Sequence, residues 1–215
     1  MTFATLEEGA SRIGLTLSAQ QLDLLRSYLT MLQKWNKVYN LTAVRDPAEM
    51  LTHHLLDSLA VIPSLLRQRG GQPFTLLDVG SGGGLPGAVI AICCPQIKVS
   101  CVDTVAKKAA FQQQIALELR LPNLRGIHAR VETLTEPQDV VCSRAFASLP
   151  DFTQWTRKSV ATGGVWMAMK GKHPAEELTV LPPEVQVFHV EQIIVPGLDA
   201  ERCIVWMKPV PVQAA

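Results

Sequence analysis

The sequence predicts an α/β fold: a mostly parallel, Rossmann-like sheet of seven strands, with helices on both faces and a helical cap ahead of it. Three observations carry that expectation. Residues 1–70 show helical periodicity throughout. From residue 74 short β-branched runs alternate with helical runs, the pattern of a parallel sheet. The first strand ends in a glycine-rich turn that opens into a helix, which is how open α/β sheets hold a ligand at the carboxyl ends of their strands. Gly70-Gly71-Gln72-Pro73 separates a cap, 1–70, from a sheet domain, 71–215, and the two are expected to pack as one compact unit.

In the cap, Ser18 and Gln21 have capping-box spacing. Leu22, Leu25, Leu29 and Leu32 form one stripe, and Leu24, Tyr28, Met31 and Trp35 a second. A helix so apolar is covered by other elements. Asp46-Pro47-Ala48-Glu49 is another start, with cap, proline and capping-box Glu in order. Leu51, Leu55, Leu59 and Ile62 line its buried face. Strands are expected near 74–79, 97–102, 126–129, 139–143 and 164–169, and helices near 86–94, 105–119, 149–159 and 174–180. The last two strands, 185–190 and 202–207, are joined by a loop containing Pro196-Gly197 and no helix, which predicts one antiparallel member.

The turn reads Leu76-Leu77-Asp78-Val79-Gly80-Ser81-Gly82-Gly83-Gly84-Leu85-Pro86-Gly87. Five glycines in the eight positions from Gly80 to Gly87 leave no side chains between backbone and ligand. A dinucleotide pattern G-x-G-x-x-G occurs once, as Gly82, Gly84 and Gly87, and a lone match is weak. Its register is also wrong, because the first glycine after the strand is Gly80, and counting from Gly80 puts Leu85 at the third glycine position. Asp78 would repel a pyrophosphate and suits a cation. S-adenosylmethionine (SAM) carries an ammonium and a sulfonium and no phosphate, so the turn favours SAM over NAD. Gly80, Ser81, Gly82 and Gly84 are therefore cofactor candidates. Asp103 ends the second strand 23 residues after Gly80, where an acid accepts hydrogen bonds from ribose hydroxyls. An ordinary helix-capping Asp is the plain alternative. Alternation ending in an antiparallel strand pair is the architecture of class I SAM-dependent methyltransferases.

Composition sets the exclusions. Hydrophobic residues make up 47% of the 215-residue chain, enough for a sizeable core. No apolar run reaches membrane-spanning length. The N-terminus lacks the basic start and apolar run of a signal peptide, so a cytoplasmic location is expected. The five cysteines, Cys93, Cys94, Cys101, Cys142 and Cys203, form no C-x-x-C and read as buried thiols in a reducing compartment. No metal ligand set is expected. The net charge of +1 is spread evenly, so binding to a polyanion must come from a local patch made by the fold.

Further blocks follow in order: Trp35-Asn36-Lys37-Val38-Tyr39-Asn40-Leu41-Thr42, His54-x-x-Asp57-Ser58, Arg130-Val131-Glu132, Ser143-Arg144-Ala145-Phe146-Ala147 and Lys170-Gly171. With the glycine turn, these six blocks resemble the RsmG (GidB) family of methyltransferases acting on 16S ribosomal RNA, over nearly the whole chain. The resemblance implies transfer of a methyl group from SAM to N7 of a guanine in the decoding-region loop, conventionally numbered 527, leaving S-adenosylhomocysteine. It makes Gly80 and Leu85 cofactor contacts, Leu85 as a side chain covering the ligand. It puts Val131 and Glu132 on the adenine side and Arg144 at the border of cofactor and substrate. Read without that context, Glu132 serves equally as a solvated acid at a helix start, and Arg144 as the partner of a local acid. The implied partner is 16S rRNA, within the 30S subunit, and the expected state is a monomer.

Two departures from the family pattern stand out. Ala110 and Gln113 replace frequent arginines after Lys107-Lys108, and Leu198-Asp199-Ala200-Glu201-Arg202 has Ala where the family has Gly. Lys107, Lys108, Lys170 and Arg202 remain RNA-binding candidates, with Lys34, Lys37, Arg67 and Arg69 as cap residues that serve equally as solvated charges. Guanine N7 bears a lone pair and no proton, so no acid–base catalyst is expected. Arg144 and Lys170 are expected to position phosphate or a base edge. His54 and Asp57 share a helix face and are expected to pin the helix to its neighbours. The competing functions are a SAM-dependent methyltransferase with another RNA or small-molecule acceptor, and a SAM- or RNA-binding module without catalysis.

Overall fold

A computed structural model describes residues 5–210. The cap contributes α1 (Leu6–Arg12), α2 (Ala19–Tyr39), α3 (Pro47–Met50), a π-helical turn (Leu51–Leu56), α4 (Asp57–Leu59) and α5 (Ile62–Arg69). Then come β1 (Thr75–Val79), α6 (Gly87–Cys93), β2 (Lys98–Asp103), α7 (Ala106–Glu118), β3 (Leu124–His128), β4 (Gln138–Arg144), α8 (Leu149–Trp155), β5 (Val160–Lys170), α9 (Ala175–Thr179), β6 (Val185–Gln192) and β7 (Cys203–Pro209). The strand order is β3-β2-β1-β4-β5-β7-β6. Neighbours from β3 to β5 pair in parallel, and β7 runs antiparallel to both β5 and β6.

Strand alternation sorts the core into two layers. Leu76, Val99, Val140, Met167 and Trp206 face the side covered by the cap, α6 and α7. Leu77, Val102, Val141, Trp166 and Met207 face the side covered by α8. Cap residues Leu25, Leu32, Leu55 and Leu65 belong to the same apolar cluster as Leu76 and Ile90, so cap and sheet share one core layer.

The capping boxes form as the spacing requires. Ser18 Oγ accepts from the Gln21 amide at 3.2 Å, and Gln21 returns a bond to the Ser18 amide at 2.9 Å. Asp46 Oδ1 accepts from the amides of Ala48 (2.8 Å) and Glu49 (3.1 Å). Two details differ from the expectation. On α2 the fully buried line is Leu25, Tyr28, Leu32 and Asn36, and it runs between the two stripes, whose remaining members are half-buried. The helix begun at Asp46 is also interrupted, since its wide π turn and the break at Ala60-Val61 shift the phase of everything after Met50. β5 also begins at Val160, ahead of the expected 164, and takes in Gly163-Gly164, where the pairing with β4 shifts register.

Candidate active site

The carboxyl ends of β1, β2 and β4 meet at the glycine turn. Gly80 has φ +65°, and a Cβ there would lie 2.3 Å from Phe146 Cδ2. Only glycine fits that backbone and that close approach. The loop's amides turn inward. Gly80 and Ser81 donate to the Val102 carbonyl (2.9 and 3.3 Å), and Gly84 and Leu85 to the Ser81 carbonyl (2.8 and 3.0 Å). Gly82 donates to Asp103 Oδ2 at 3.0 Å. A phosphate-binding loop points such amides at its ligand. Here the chain itself uses them, which fits a ligand without phosphate.

Beside this turn lies an open cleft of about 380 Å³. Gly80 and Asp103 form one side, Val105 and Val131 an apolar section, and Phe146 and Trp155 an aromatic wall. Asp103 is 6% exposed, and its Oδ1 also accepts from the Val105 amide at 2.9 Å. Each carboxylate oxygen keeps a second lone pair, the acceptor set that ribose hydroxyls require. Lys108 lines the cleft with its Nζ 3.9 Å from Asp103 Oδ2. The cleft thus has what a nucleoside cofactor needs: an acid for the ribose, an apolar section for the base, and a bare backbone at Gly80.

The predicted site residues separate into those at the cleft and those behind it. Gly80, Asp103, Val131 and Glu132 line it; Ser81, Gly82, Gly84, Leu85 and Arg144 do not. Leu85 is 3% exposed and its side chain joins the core, so the expectation that it covers the ligand is corrected: an apolar side chain in a bare turn found the core first. Glu132 is exposed, and its own backbone amide and Arg130 hold its carboxyl below the usual range. Asp78 also needs correction. It is fully buried, and its Oδ2 accepts from the Gly87 amide at 2.8 Å, capping α6 and facing away from the cleft. Burial pushes its carboxyl up to about 7, against the lowering pull of the Gly87 amide and Arg144.

The basic candidates gather at one edge. Arg144 ends β4, Lys170 ends β5, and Arg202 precedes β7, whose Cys203 pairs with Lys170. Arg144 Nη1 donates to Asp57 Oδ2 and to the His53 carbonyl, both at 2.9 Å. Lys170 Nζ donates to both oxygens of Glu177 (3.0 and 2.8 Å) and to the Ala147 carbonyl (3.0 Å). Its three N–H groups are therefore satisfied, so substrate binding requires an exchange of partners. Lys107 is exposed on α7. Arg69 lies at the opposite edge, 3.6 Å from Asp139 and over the Phe74 ring, away from the cleft. Arg67 is held by Glu191 at 2.7 Å.

His54 and Asp57 do pin the cap, through separate partners. His54 Nε2 lies 2.8 Å from Thr42 Oγ1, while Asp57 binds Arg144 and Arg202. Burial and the nearby Arg144 charge lower the His54 pKa to about 4, so it is neutral at pH 7. Sequence reasoning missed the groups that hold the turn from outside. Tyr28 OH donates to the Gly83 carbonyl at 2.7 Å, and Gln112 Nε2 donates to Ser81 Oγ (2.8 Å) and the Gly82 carbonyl (3.0 Å). The only sequence signal was a polar atom on an otherwise buried helix line. Phe146 and Trp155 were likewise missed as cleft wall, although the half-exposed Trp155 is unusual for so large an apolar ring.

Among the described residues no three His, Cys, Asp or Glu side chains form a group that could hold a metal ion, and no helix is long and apolar enough to cross a membrane. The fold is that of class I SAM-dependent methyltransferases. It matches a SAM dependent methyltransferase from Aquifex aeolicus with a TM-score of 0.53 and 18% identity, covering 82% of this chain and 97% of that one. It matches a putative RNA methyltransferase from Pyrococcus horikoshii with a TM-score of 0.57 and 12% identity, covering 91% and 100%. At such identities the likeness is one of fold.

Sequence similarity goes further. Residues 21–205 match the family model GidB, described as rRNA small subunit methyltransferase G. A Ribosomal RNA small subunit methyltransferase G from Polaromonas naphthalenivorans (strain CJ2) is 65% identical over 211 residues, 96% of each chain. Its counterpart from Acidovorax sp. (strain JS42) is 65% identical over 213 residues, 95% of this chain and 94% of that one. The chain belongs to the GidB family of small-subunit ribosomal RNA methyltransferases, SAM-dependent enzymes.

Proposed function

We propose that the protein methylates N7 of guanine 527, in the decoding-region loop of 16S rRNA. The observation that carries this beyond family membership is the placement of Arg144, Lys170 and Arg202 together at the carboxyl ends of β4 and β5 and the start of β7, where Arg144 adjoins Ala145 of the cleft wall. It is the local basic patch that a chain of net charge +1 needs to hold RNA.

SAM supplies a methyl group already activated by its sulfonium. Asp103 would hold the ribose, Val105 and Val131 would border the adenine, and the bare Gly80 backbone would admit the chain that bears the sulfonium. Transfer of that methyl to the N7 lone pair would leave the S–C electron pair on sulfur and the positive charge on the guanine ring, with no proton to move. The protein therefore supplies placement and no acid or base. Such orientation is worth roughly 7–11 kcal/mol of a barrier. A-form RNA hides N7 in a deep, narrow groove, so the target base is unpaired or drawn out of its stack. Arg144 and Lys170 grip phosphate or a base edge while the base enters.

The 30S subunit is the proposed substrate, a monomer the active form and the cytoplasm the location. The test is incubation with methyl-labelled SAM and either 30S subunits or free 16S RNA, both from cells lacking the modification. Label on the subunits is expected. Label on free RNA alone would overturn the assembly state, and label on neither would overturn the acceptor.

A further inference from the structure

Asp57 carries two arginines on one carboxylate. Its Oδ2 accepts from Arg144 Nη1 at 2.9 Å and its Oδ1 from Arg202 Nε at 2.8 Å. The carboxylate side chain is 3% exposed, and each arginine side chain is 21% exposed. Three distant pieces of chain meet there: α4 of the cap, the end of β4 and the residue before β7. The His53 carbonyl holds Arg144 from a second side, and the Glu201 carbonyl holds Arg202.

The charges do not balance. One arginine would neutralise Asp57; the second leaves a net positive charge in a partly buried site. A staple for the fold gains nothing from that excess, since apolar groups of similar volume hold elements together at least as well. An incoming anion does gain. Among the described residues, Arg144 Nε and Nη2 and Arg202 Nη2 have no hydrogen-bond partner. Planar guanidinium donors with their rotamers already fixed suit the oxygens of a phosphodiester, because little entropy remains to be lost on binding.

We propose that Asp57 is a positioning residue that holds Arg144 and Arg202 side by side as one seat for a backbone phosphodiester of the RNA substrate, at the edge of the cofactor cleft. The inference rests on the RNA-methylating reading above. The seat also ties the cap to the sheet edge, so a phosphate bound there fixes the RNA against both parts of the protein. The target base is then placed from a point the reacting atoms never touch.

The test compares wild type with Asp57→Asn, Asp57→Glu, Arg202→Gln and the double variant Asp57→Asn/Arg202→Gln. It reads kcat and KM on the RNA substrate, RNA Kd against KCl concentration, and Kd for S-adenosylhomocysteine. Asp57→Asn keeps both cations, so RNA affinity and its salt slope are expected to hold while kcat falls about tenfold or more, as for a lost transition-state placement. Cofactor affinity stays unchanged, and Asp57→Glu restores part of kcat. Arg202→Gln lowers the salt slope by about 0.7–0.9, one phosphate contact. In that background Asp57→Asn costs less than it does alone. Wild-type kcat in Asp57→Asn overturns the proposal, as does a parallel loss of kcat, cofactor affinity and Tm that Asp57→Glu does not rescue. If Asp57→Asn does not fold, Arg202→Gln decides, and an unchanged salt slope in that folded variant overturns the seat. A wild-type enzyme that neither binds nor methylates 16S RNA overturns the reading beneath it, a result distinct from all of these.

Discussion

The carboxylate of Asp103 holds the amide of Gly82 at 3.0 Å, so the acid that ends β2 also sets the shape of the glycine turn. The same carboxylate secures the Val105 amide at the start of α7. Asp103→Ala leaves two backbone donors without acceptors at the mouth of the cleft. Each is worth roughly 1–3 kcal/mol when left unpaired in a buried place. Calorimetric titration with S-adenosylhomocysteine should show affinity lower by about tenfold or more, an energy of about 1.4 kcal/mol. A loss under about twofold, well below that 1.4 kcal/mol, would remove Asp103 from the cofactor site.

Asp78 and His54 bias stability against pH in opposite directions. Asp78 is raised from 3.8 to about 7 by burial, so the native state binds more protons than the unfolded chain between those values, and stability falls as pH rises through them. His54 is lowered from 6.5 to about 4, first by burial and then by Arg144, so the native state binds fewer protons and stability rises across that window. Each shift corresponds to an energy of the order of 3–5 kcal/mol. The two slopes largely cancel in the wild type. Asp78→Asn should therefore show urea stability rising from about pH 4 to 6.5, and His54→Gln should show it falling from about pH 4 to 7. Parallel slopes in both variants would contradict the assignment.

Gly80→Ala puts a Cβ 2.3 Å from Phe146 Cδ2 on a backbone with φ +65°. Both the clash and the left-handed conformation cost energy, about 1–3 kcal/mol for such strain. Thermal unfolding should move to lower temperature, and cofactor affinity should fall with it because Phe146 is driven from the cleft wall. Gly171→Ala is the control, since a Cβ there meets nothing within 4 Å.

Lys170→Ala removes the cation whose three donors go to Glu177 and Ala147. The pair is partly solvated, so the cost in stability is small. Turnover on RNA should fall about tenfold, near 1.4 kcal/mol of transition-state binding, while cofactor affinity changes little. Full turnover in a single-turnover assay would sink the assignment of Lys170.

The sheet was legible because its strands are short, alternating and β-branched, and because Gly and Pro mark their ends. The position of β7 between β5 and β6 was not legible, since strand order in an antiparallel ending depends on packing across the whole sheet. The place of Asp103 beside the glycine turn could be read from its distance to Gly80, a spacing set by one βαβ unit. Leu85 and Asp78 were misread because spacing does not say which way a side chain turns at a strand end, and both turn to the core. The Asp57 network was only half visible. Pairing it with His54 presumed α-helical phase, whereas a π turn intervenes and its partners lie 87 and 145 residues away.

The measurement that tests the central claim most directly is the position of the transferred methyl. After reaction with SAM and unmodified 30S subunits, borohydride reduction and aniline treatment cleave the RNA at 7-methylguanosine. A single cleavage at guanine 527 is the predicted result. Methylated RNA that resists cleavage, or is cleaved at another guanine, would contradict it.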